Sequence, residues 1–361
     1  MVDWNPCHLV AGTALPVKLP RRKRTGYQSK IFLTPRGAGN NSRPPLAELT
    51  TPPQADGVSI GDFLSATRGG KQVSSASGGL NILGLFGTER ELMFNKLMAA
   101  QARKNLKLLR EKSPLVHCIT NSVVMNFTAN TLLACGVHAV MAYAEEEVEE
   151  VVTNASALLL NIGTLTLSRF DSMRKAGKRA NQQQIPVALD PVGTGSTKLR
   201  TRCSRKILKD ISFAAIRGNA SEILSLSNET LNTKGVESCH SVEQAAAAAQ
   251  SLAREFKTIV AITGEVDLIT DGEHTSRVFN GDKLMRNVTG MGCAATAVIA
   301  AFLAVDSNPF SAVTTGLAFF GLAGERAAGV SKGPGSFQVA MIDTLYTLGE
   351  TELEEGARIQ V

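Results

Sequence analysis

Pro186-Val-Ala-Leu-Asp-Pro191 and, further on, Phe213-Ala-Ala-Ile-Arg-Gly-Asn-Ala-Ser-Glu222 decide the fold. Each opens with a short apolar run that does not alternate with polar residues. A strand with one wet face alternates; a run without alternation suits a strand covered on both faces. Each run ends on polar residues or glycine and passes into a helical pattern. The same unit recurs outward. Toward the N-terminus, Leu115–Ile119, Ala139–Ala142 and Ala157–Ile162 read as strands. Helical stretches follow them through about Cys135, over Glu145–Val152 and to about Gln183. Toward the C-terminus, an Ala-rich helix, Val242–Phe256, leads into the strand Thr258–Thr263. The alternation predicts an α/β fold with a mostly parallel central sheet, helices on both faces and right-handed crossovers. Asp267–Thr270 and Thr275–Phe279 read as strands at the sheet edge. Thr289-Gly-Met-Gly-Cys293 opens a long apolar helix to Val305, and further helices run over Phe310–Ala328 and Phe337–Leu348. Upstream, Thr88-Glu-Arg-Glu91 reads as the cap of a helix that runs on an apolar face to Pro114.

Before that helix the character differs. Residues 1–86 are rich in Pro, Gly, Ser and Thr, carry Arg21-Arg-Lys-Arg24, and keep no helical or strand period. Such a segment buries too little apolar surface to offset its ordering entropy, so a low-complexity basic leader is expected at 1–86 and the folded domain at 87–361. The leader also owns the charge. The chain is +6, and residues 1–86 alone hold ten Lys/Arg against four Asp/Glu, which leaves the other 275 residues neutral. A nucleic-acid partner therefore has no support from the body of the chain. The most apolar stretch, Cys293–Val305, broken only by Thr296, is too short to cross a bilayer, so no membrane partner is expected. Six cysteines without C-x-x-C or zinc spacing make no disulfide or zinc framework and suit a reducing compartment. The cytoplasm is the expectation; a plastid or mitochondrion is the alternative if the leader is a transit peptide.

In open α/β sheets ligands bind outside the carboxyl ends of the strands. Asn121, Met141, Asn161 with Gly163, Asp190, Arg217 with Asn219, and Thr263 with Gly264 all fall there. Val288-Thr-Gly-Met-Gly-Cys293 is either a plain helix start or an anion hole, in which the amides of Gly290, Met291 and Gly292 meet a transferred phosphoryl group. Cys293, in the first turn, is either a small packing residue or a pocket thiol whose pKa the helix start lowers. Asn219 and Glu222, three apart, suit a capping box. With Asp190 on the neighbouring strand end, Glu222 also suits Mg2+ carrying nucleotide phosphates, and the two roles are compatible. Arg217 is a phosphate fork or a solvated charge. There is no G-x-x-x-x-G-K-[ST] and no G-x-G-x-x-G after a strand, which removes the P-loop and simple dinucleotide readings.

Ser113-Pro-Leu-Val-His-Cys-Ile-Thr-Asn121, Asn126-Phe-Thr-Ala-Asn130, Leu160-Asn-Ile-Gly-Thr164, Leu189-Asp-Pro-Val-Gly193, Arg217-Gly-Asn-Ala-Ser-Glu222, Ala261-Ile-Thr-Gly-Glu-Val-Asp267 and Gly333-Pro-Gly-Ser-Phe337, together with the Gly290 segment, stand in one order along the chain. In these segments the chain resembles hydroxyethylthiazole kinases. The resemblance implies a ribokinase-like fold and ATP-dependent phosphorylation of 4-methyl-5-(2-hydroxyethyl)thiazole in thiamine biosynthesis and salvage. It implies thiazole contacts at Met141 and Gly290 with Asn121 nearby, and ATP contacts at Arg217 and Thr263, with Asn219 beside them. Asp190 and Glu222 are implied near Mg2+. Cys293 stands where related kinases carry an Asp base. A homotrimer with sites at subunit boundaries is implied. Alternatives are a kinase of another small alcohol (a hydroxymethylpyrimidine or a sugar), a hydrolase using Cys293 with His117, and a non-enzymatic regulatory subunit.

Overall fold

The computed structural model describes residues 87–227 and 242–361. The leader expected at 1–86 lies outside the described residues. Helix α1 (Gly87–Lys112) starts one residue ahead of the expected cap at Thr88 and leads into β1 (Leu115–Ile119). There follow α2 (Met125–Ala134), β2 (His138–Val140), α3 (Val148–Thr153), β3 (Ala157–Asn161), α4 (Leu167–Gln182), β4 (Val187–Asp190), α5 (Lys198–Asp210), β5 (Ala215–Gly218) and α6 (Ala220–Ser227). Past the undescribed stretch come α7 (Val242–Phe256), β6 (Ile259–Ile262), β7 (Asp267–Thr270), β8 (Thr275–Val278), α8 (Met291–Leu303), α9 (Pro309–Val330), α10 (Pro334–Thr347), α11 (Glu350–Gly356) and β9 (Ile359–Gln360).

The nine strands lie in the order β2-β1-β3-β4-β5-β6-β7-β8-β9. The first six are parallel and the last three are joined antiparallel. The register explains the uninterrupted apolar runs. Cys118, Leu159, Ala188, Ala215 and Ile259 stand opposite one another across five strands, and all five belong to the core under α1, α2, α8, α9 and α10. One residue further along, Ile119, Leu160, Leu189, Ile216 and Val260 form the next row. They belong to the core under α3 to α7. Successive side chains point to opposite faces, and both faces are dry.

β1 has β2 on one side and β3 on the other. The chain leaves β1 in one direction for β2 and then returns past it to β3. Such a switch opens a crevice at the carboxyl ends of the strands. Asn121 and Asn161 stand at its two lips.

Differences from the sequence reading are local. The second strand stops at Val140, because it is an edge strand paired only with β1, and beyond it His117 Nε2 takes the Ala142 carbonyl at 2.7 Å. The last expected helix begins earlier, at Pro334, where a proline suits a first helical turn. β9 is two residues long, too short to show a period, and is held by pairing with β8. Among the described residues no helix is long and apolar enough to cross a membrane. Cys118, Cys135, Cys203 and Cys293 are free thiols.

Candidate active site

Five strand ends, those of β1, β3, β4, β5 and β6, meet one helix start at the crevice. α8 begins after Gly290, whose φ of 93° is left-handed. A side chain there would be strained, and a Cβ would stand 2.7 Å from Val124 Cγ1. The tight turn thus seats the start of α8 against α2. Ala294 is the residue whose amide first bonds back, to the Gly290 carbonyl at 2.8 Å. The amides of Met291, Gly292 and Cys293 stand ahead of the helical ladder. Gly292 makes room for the Arg217 guanidinium, since a Cβ at that position would meet Nη1 at 2.5 Å.

A chain of polar side chains runs beneath the turn. Asn121 donates from Nδ2 to Cys293 Sγ at 3.4 Å and to Asn161 Oδ1 at 3.0 Å. Asn161 and Asp190 stand opposite each other in the β3–β4 ladder, so their side chains lie side by side, and Asn161 Nδ2 donates to Asp190 Oδ2 at 2.9 Å. Thr296, one turn into α8, donates to the same oxygen at 3.0 Å. Arg217 lies 3.9 Å from it through Nη1 and donates through Nη2 to Thr263 Oγ1. Beside this chain Asn219 and Glu222 form the reciprocal cap of α6. Glu222 N donates to Asn219 Oδ1 and Asn219 N donates to Glu222 Oε2, both at 2.9 Å. Glu222 Oε1 accepts from Gly193 N at 2.8 Å. The carboxylate therefore ties the loop after β4 to the start of α6.

The charges are costly where they lie. Burial pushes the Asp190 carboxyl upward, against the pull of Arg217 and its hydrogen-bond donors. Burial and then the Asp190 charge push Glu222 up to about 7. Cys293 goes the opposite way from the sequence expectation. Burial, then the charge of Asp190, pushes its thiol up to about 12. The helix start does not outweigh desolvation beside a carboxylate, so the thiol is protonated at neutral pH.

The sequence profile described as the Hydroxyethylthiazole kinase family matches residues 106–351, a stretch that contains every residue of this cleft. A hydroxyethylthiazole kinase of Desulfotalea psychrophila is 53% identical over 259 residues, 72% of this chain and 95% of the relative. That of Moorella thermoacetica is 48% identical over 261 residues, 72% and 98%. The chain belongs to the hydroxyethylthiazole kinase family. The solved hydroxyethylthiazole kinase protein of Pyrococcus horikoshii OT3 resembles its fold with a TM-score of 0.66 at 44% identity. That likeness covers 72% of this chain and 98% of the other.

Two acidic residues of the cleft fit a divalent cation. Asp190 Oδ1 is buried and has no hydrogen-bond partner among the described residues. An oxygen so placed suits a hard cation, and Glu222 is near enough for the two charges to interact. Among the described residues no group of three or more His, Cys, Asp or Glu could hold a metal unaided. Two carboxylates that leave other positions to phosphate and water are the usual Mg2+ arrangement.

The structure brings together Asn121, Asp190, Arg217, Thr263, Gly292 and Cys293, with Asn219 and Glu222 alongside. Gly290 forms the wall with Val124 and Phe127. Met141 follows β2 on the same rim and packs on the core that holds Phe127 and Met291. His117 does not serve Cys293. Its Nε2 faces Ala142 and its buried Nδ1 has no partner among the described residues, so His117 does not activate the thiol as the hydrolase reading requires. Three residues gain a place that the sequence reading did not assign to the site. Asn161, read only as a strand end, is the hub of the polar chain. Thr296 is the one hydroxyl in Met291–Leu303, a signal visible in an otherwise apolar helix. Asp267 accepts from Gly264 N at 2.9 Å and braces the loop after Thr263; nothing in its spacing marks it.

Proposed function

We propose that this chain transfers the terminal phosphoryl group of ATP to the hydroxyl of 4-methyl-5-(2-hydroxyethyl)thiazole, a step of thiamine biosynthesis and salvage. The observation that carries the reading is the meeting of the α8 start with Asp190 and Arg217 in one cleft. The amides of a helix start, a guanidinium and a bare carboxylate oxygen there suit a triphosphate with its cation.

The roles follow from the chemistry of each group. The amides expected to form the anion hole, those of Gly290, Met291 and Gly292, with Cys293 next in the same turn, would face the migrating group and stabilise charge that builds on its oxygens. Arg217, with Thr263 and Asn219 beside it, binds the nucleotide, and its planar fork matches phosphate. Asp190 and Glu222 would hold Mg2+, which supplies neutralisation of phosphate charge. Met141 and the Gly290 wall bound the thiazole ring, while Asn121 and Cys293 place the alcohol. The loose transition state of phosphoryl transfer releases the hydroxyl proton late, so placement by a neutral thiol suffices for turnover.

The catalytic domain is read as 87–361, following the leader. A homotrimer with sites at subunit boundaries is supported by apolar side chains exposed on the crevice rim, Val123, Tyr143 and Leu167. The free thiols among the described residues favour a reducing compartment, the cytoplasm or, with the leader as a transit peptide, an organelle.

A substrate panel tests the choice of alcohol. With ATP and Mg2+, kcat/KM for the thiazole alcohol should exceed that for hydroxymethylpyrimidine or a pentose by at least about tenfold. A preference for either competitor contradicts the reading.

A further inference from the structure

Three groups that reach the Asp190 carboxylate converge on one of its oxygens, and the Cys293 thiol lies against the same carboxylate. Asn161 Nδ2 and Thr296 Oγ1 donate to Oδ2 at 2.9 and 3.0 Å, and Arg217 Nη1 lies 3.9 Å from it. Oδ1, buried in the same place, has no partner among the described residues. A carboxylate is nearly symmetric, and its terminal torsion is soft. Loading one oxygen and stripping the other removes that freedom. The uncompensated oxygen costs free energy in the ligand-free protein, which is the signature of a site built for something that arrives later.

The two neutral donors are themselves locked. Asn161 is fully buried, and its Oδ1 accepts from Gly163 N at 2.9 Å and from Asn121 Nδ2 at 3.0 Å. With donors on the carbonyl side and a carboxylate on the amide side, its amide has one orientation. Thr296 is also fully buried, and its hydroxyl is shared between Asp190 and the Gly292 carbonyl at 3.2 Å. The Gly292 carbonyl alone would satisfy that hydroxyl. Its approach to Asp190 is an additional contact in a helix that is otherwise apolar.

We propose that Asn161 and Thr296 are positioning residues that hold Asp190 so that Oδ1 alone faces the cation accompanying the nucleotide. Through Asn121, Asn161 also ties that orientation to the place of the alcohol. The proposal rests on the kinase reading above. It separates the two residues by reach: Thr296 acts on the cation side, Asn161 on both sides.

The test uses the full chain and three variants, Thr296→Val, Thr296→Ser and Asn161→Ser. Mn2+ binding in the presence of a non-hydrolysable ATP analogue is followed by the electron paramagnetic resonance of free Mn2+. KM for the alcohol and thermal midpoints are measured alongside. Thr296→Val should weaken Mn2+ binding by about tenfold with the alcohol KM unchanged, and Thr296→Ser should stay within about twofold of wild type. Asn161→Ser should weaken Mn2+ binding and raise the alcohol KM together. A purely structural role would lower the thermal midpoint of Thr296→Val and leave its Mn2+ affinity alone, which overturns the proposal. Should Thr296→Val fail to fold, Asn161→Ser decides: wild-type Mn2+ affinity and alcohol KM in that variant overturn it. A wild-type protein that binds no Mn2+ with the analogue overturns the nucleotide reading itself. Normal wild-type binding with unaffected variants overturns the positioning roles only.

Discussion

Asn121 and Cys293, one from the end of β1 and the other from the start of α8, face each other with Nδ2 3.4 Å from Sγ. The contact joins the sheet to the helix at the point where an alcohol would lie. It also places the thiol beside Asp190, whose charge, after burial, raises the Cys293 pKa to about 12. A neutral thiol so placed suits the proposed positioning of the hydroxyl better than its deprotonation by a thiolate.

Replacing Cys293 follows from that. Cys293→Asp supplies a carboxylate that can accept the proton at neutral pH, so kcat should be kept or raised; Cys293→Ser should lower it. Steady-state kinetics on both variants check this, and a folded Cys293→Asp protein that binds both substrates without turnover contradicts it. Peptide mapping after iodoacetamide treatment gives a second check. Cys293 should be alkylated more slowly than free cysteine, whose pKa is about 8.5.

Much of this site was legible from the chain alone, for a physical reason. Asp190, Arg217 and Thr263 sit where apolar strands end, and a parallel sheet brings its strand ends together whatever the distance along the chain. The Gly290–Cys293 turn announces itself because glycine and an apolar helix adjoin. The thiol pKa was not legible. It depends on Asp190, 103 positions away and packed beside it, which outweighs the local effect of the helix start. The part of Asn161 was hidden likewise, since a polar residue at a strand end is ordinary until its register with Asp190 is known.

The two glycines of the turn should respond differently to alanine. Gly290→Ala puts a side chain at φ 93° and 2.7 Å from Val124 Cγ1. The backbone strain costs about 1–3 kcal/mol, and the thermal midpoint should fall. In Gly292→Ala the nearest neighbour of the new side chain is the end of Arg217, at 2.5 Å from Nη1, which can move aside. Its midpoint should hold while the KM for ATP rises by about tenfold, because the displaced guanidinium loses charge-assisted contacts. Thermal melts and ATP titrations decide. A Gly290→Ala protein as stable as wild type, or a Gly292→Ala protein with wild-type KM, contradicts this assignment.

Asp267 gives a pH dependence with a defined sign. Burial pushes its carboxyl from 3.8 up to about 7, outweighing the Gly264 amide and the Arg217 charge. A carboxyl whose pKa rises on folding favours the fold while it holds its proton. That contribution is full below the unfolded value and is lost as pH climbs through the folded value. Asp267→Asn keeps an oxygen for the Gly264 amide and does not titrate. The midpoint of the variant relative to wild type should therefore climb between about pH 5 and about pH 8. A difference that stays flat, or falls, contradicts the shift.

The most direct measurement of the kinase reading is ADP release by the full chain, coupled to NADH oxidation, with ATP and the thiazole alcohol present or omitted and Mg2+ present or chelated. ADP should form only when alcohol, ATP and Mg2+ are together, and phosphorus NMR should show a new phosphomonoester in equal amount. ADP formation that ignores the alcohol, or none at all from a folded protein that binds both substrates, would contradict it.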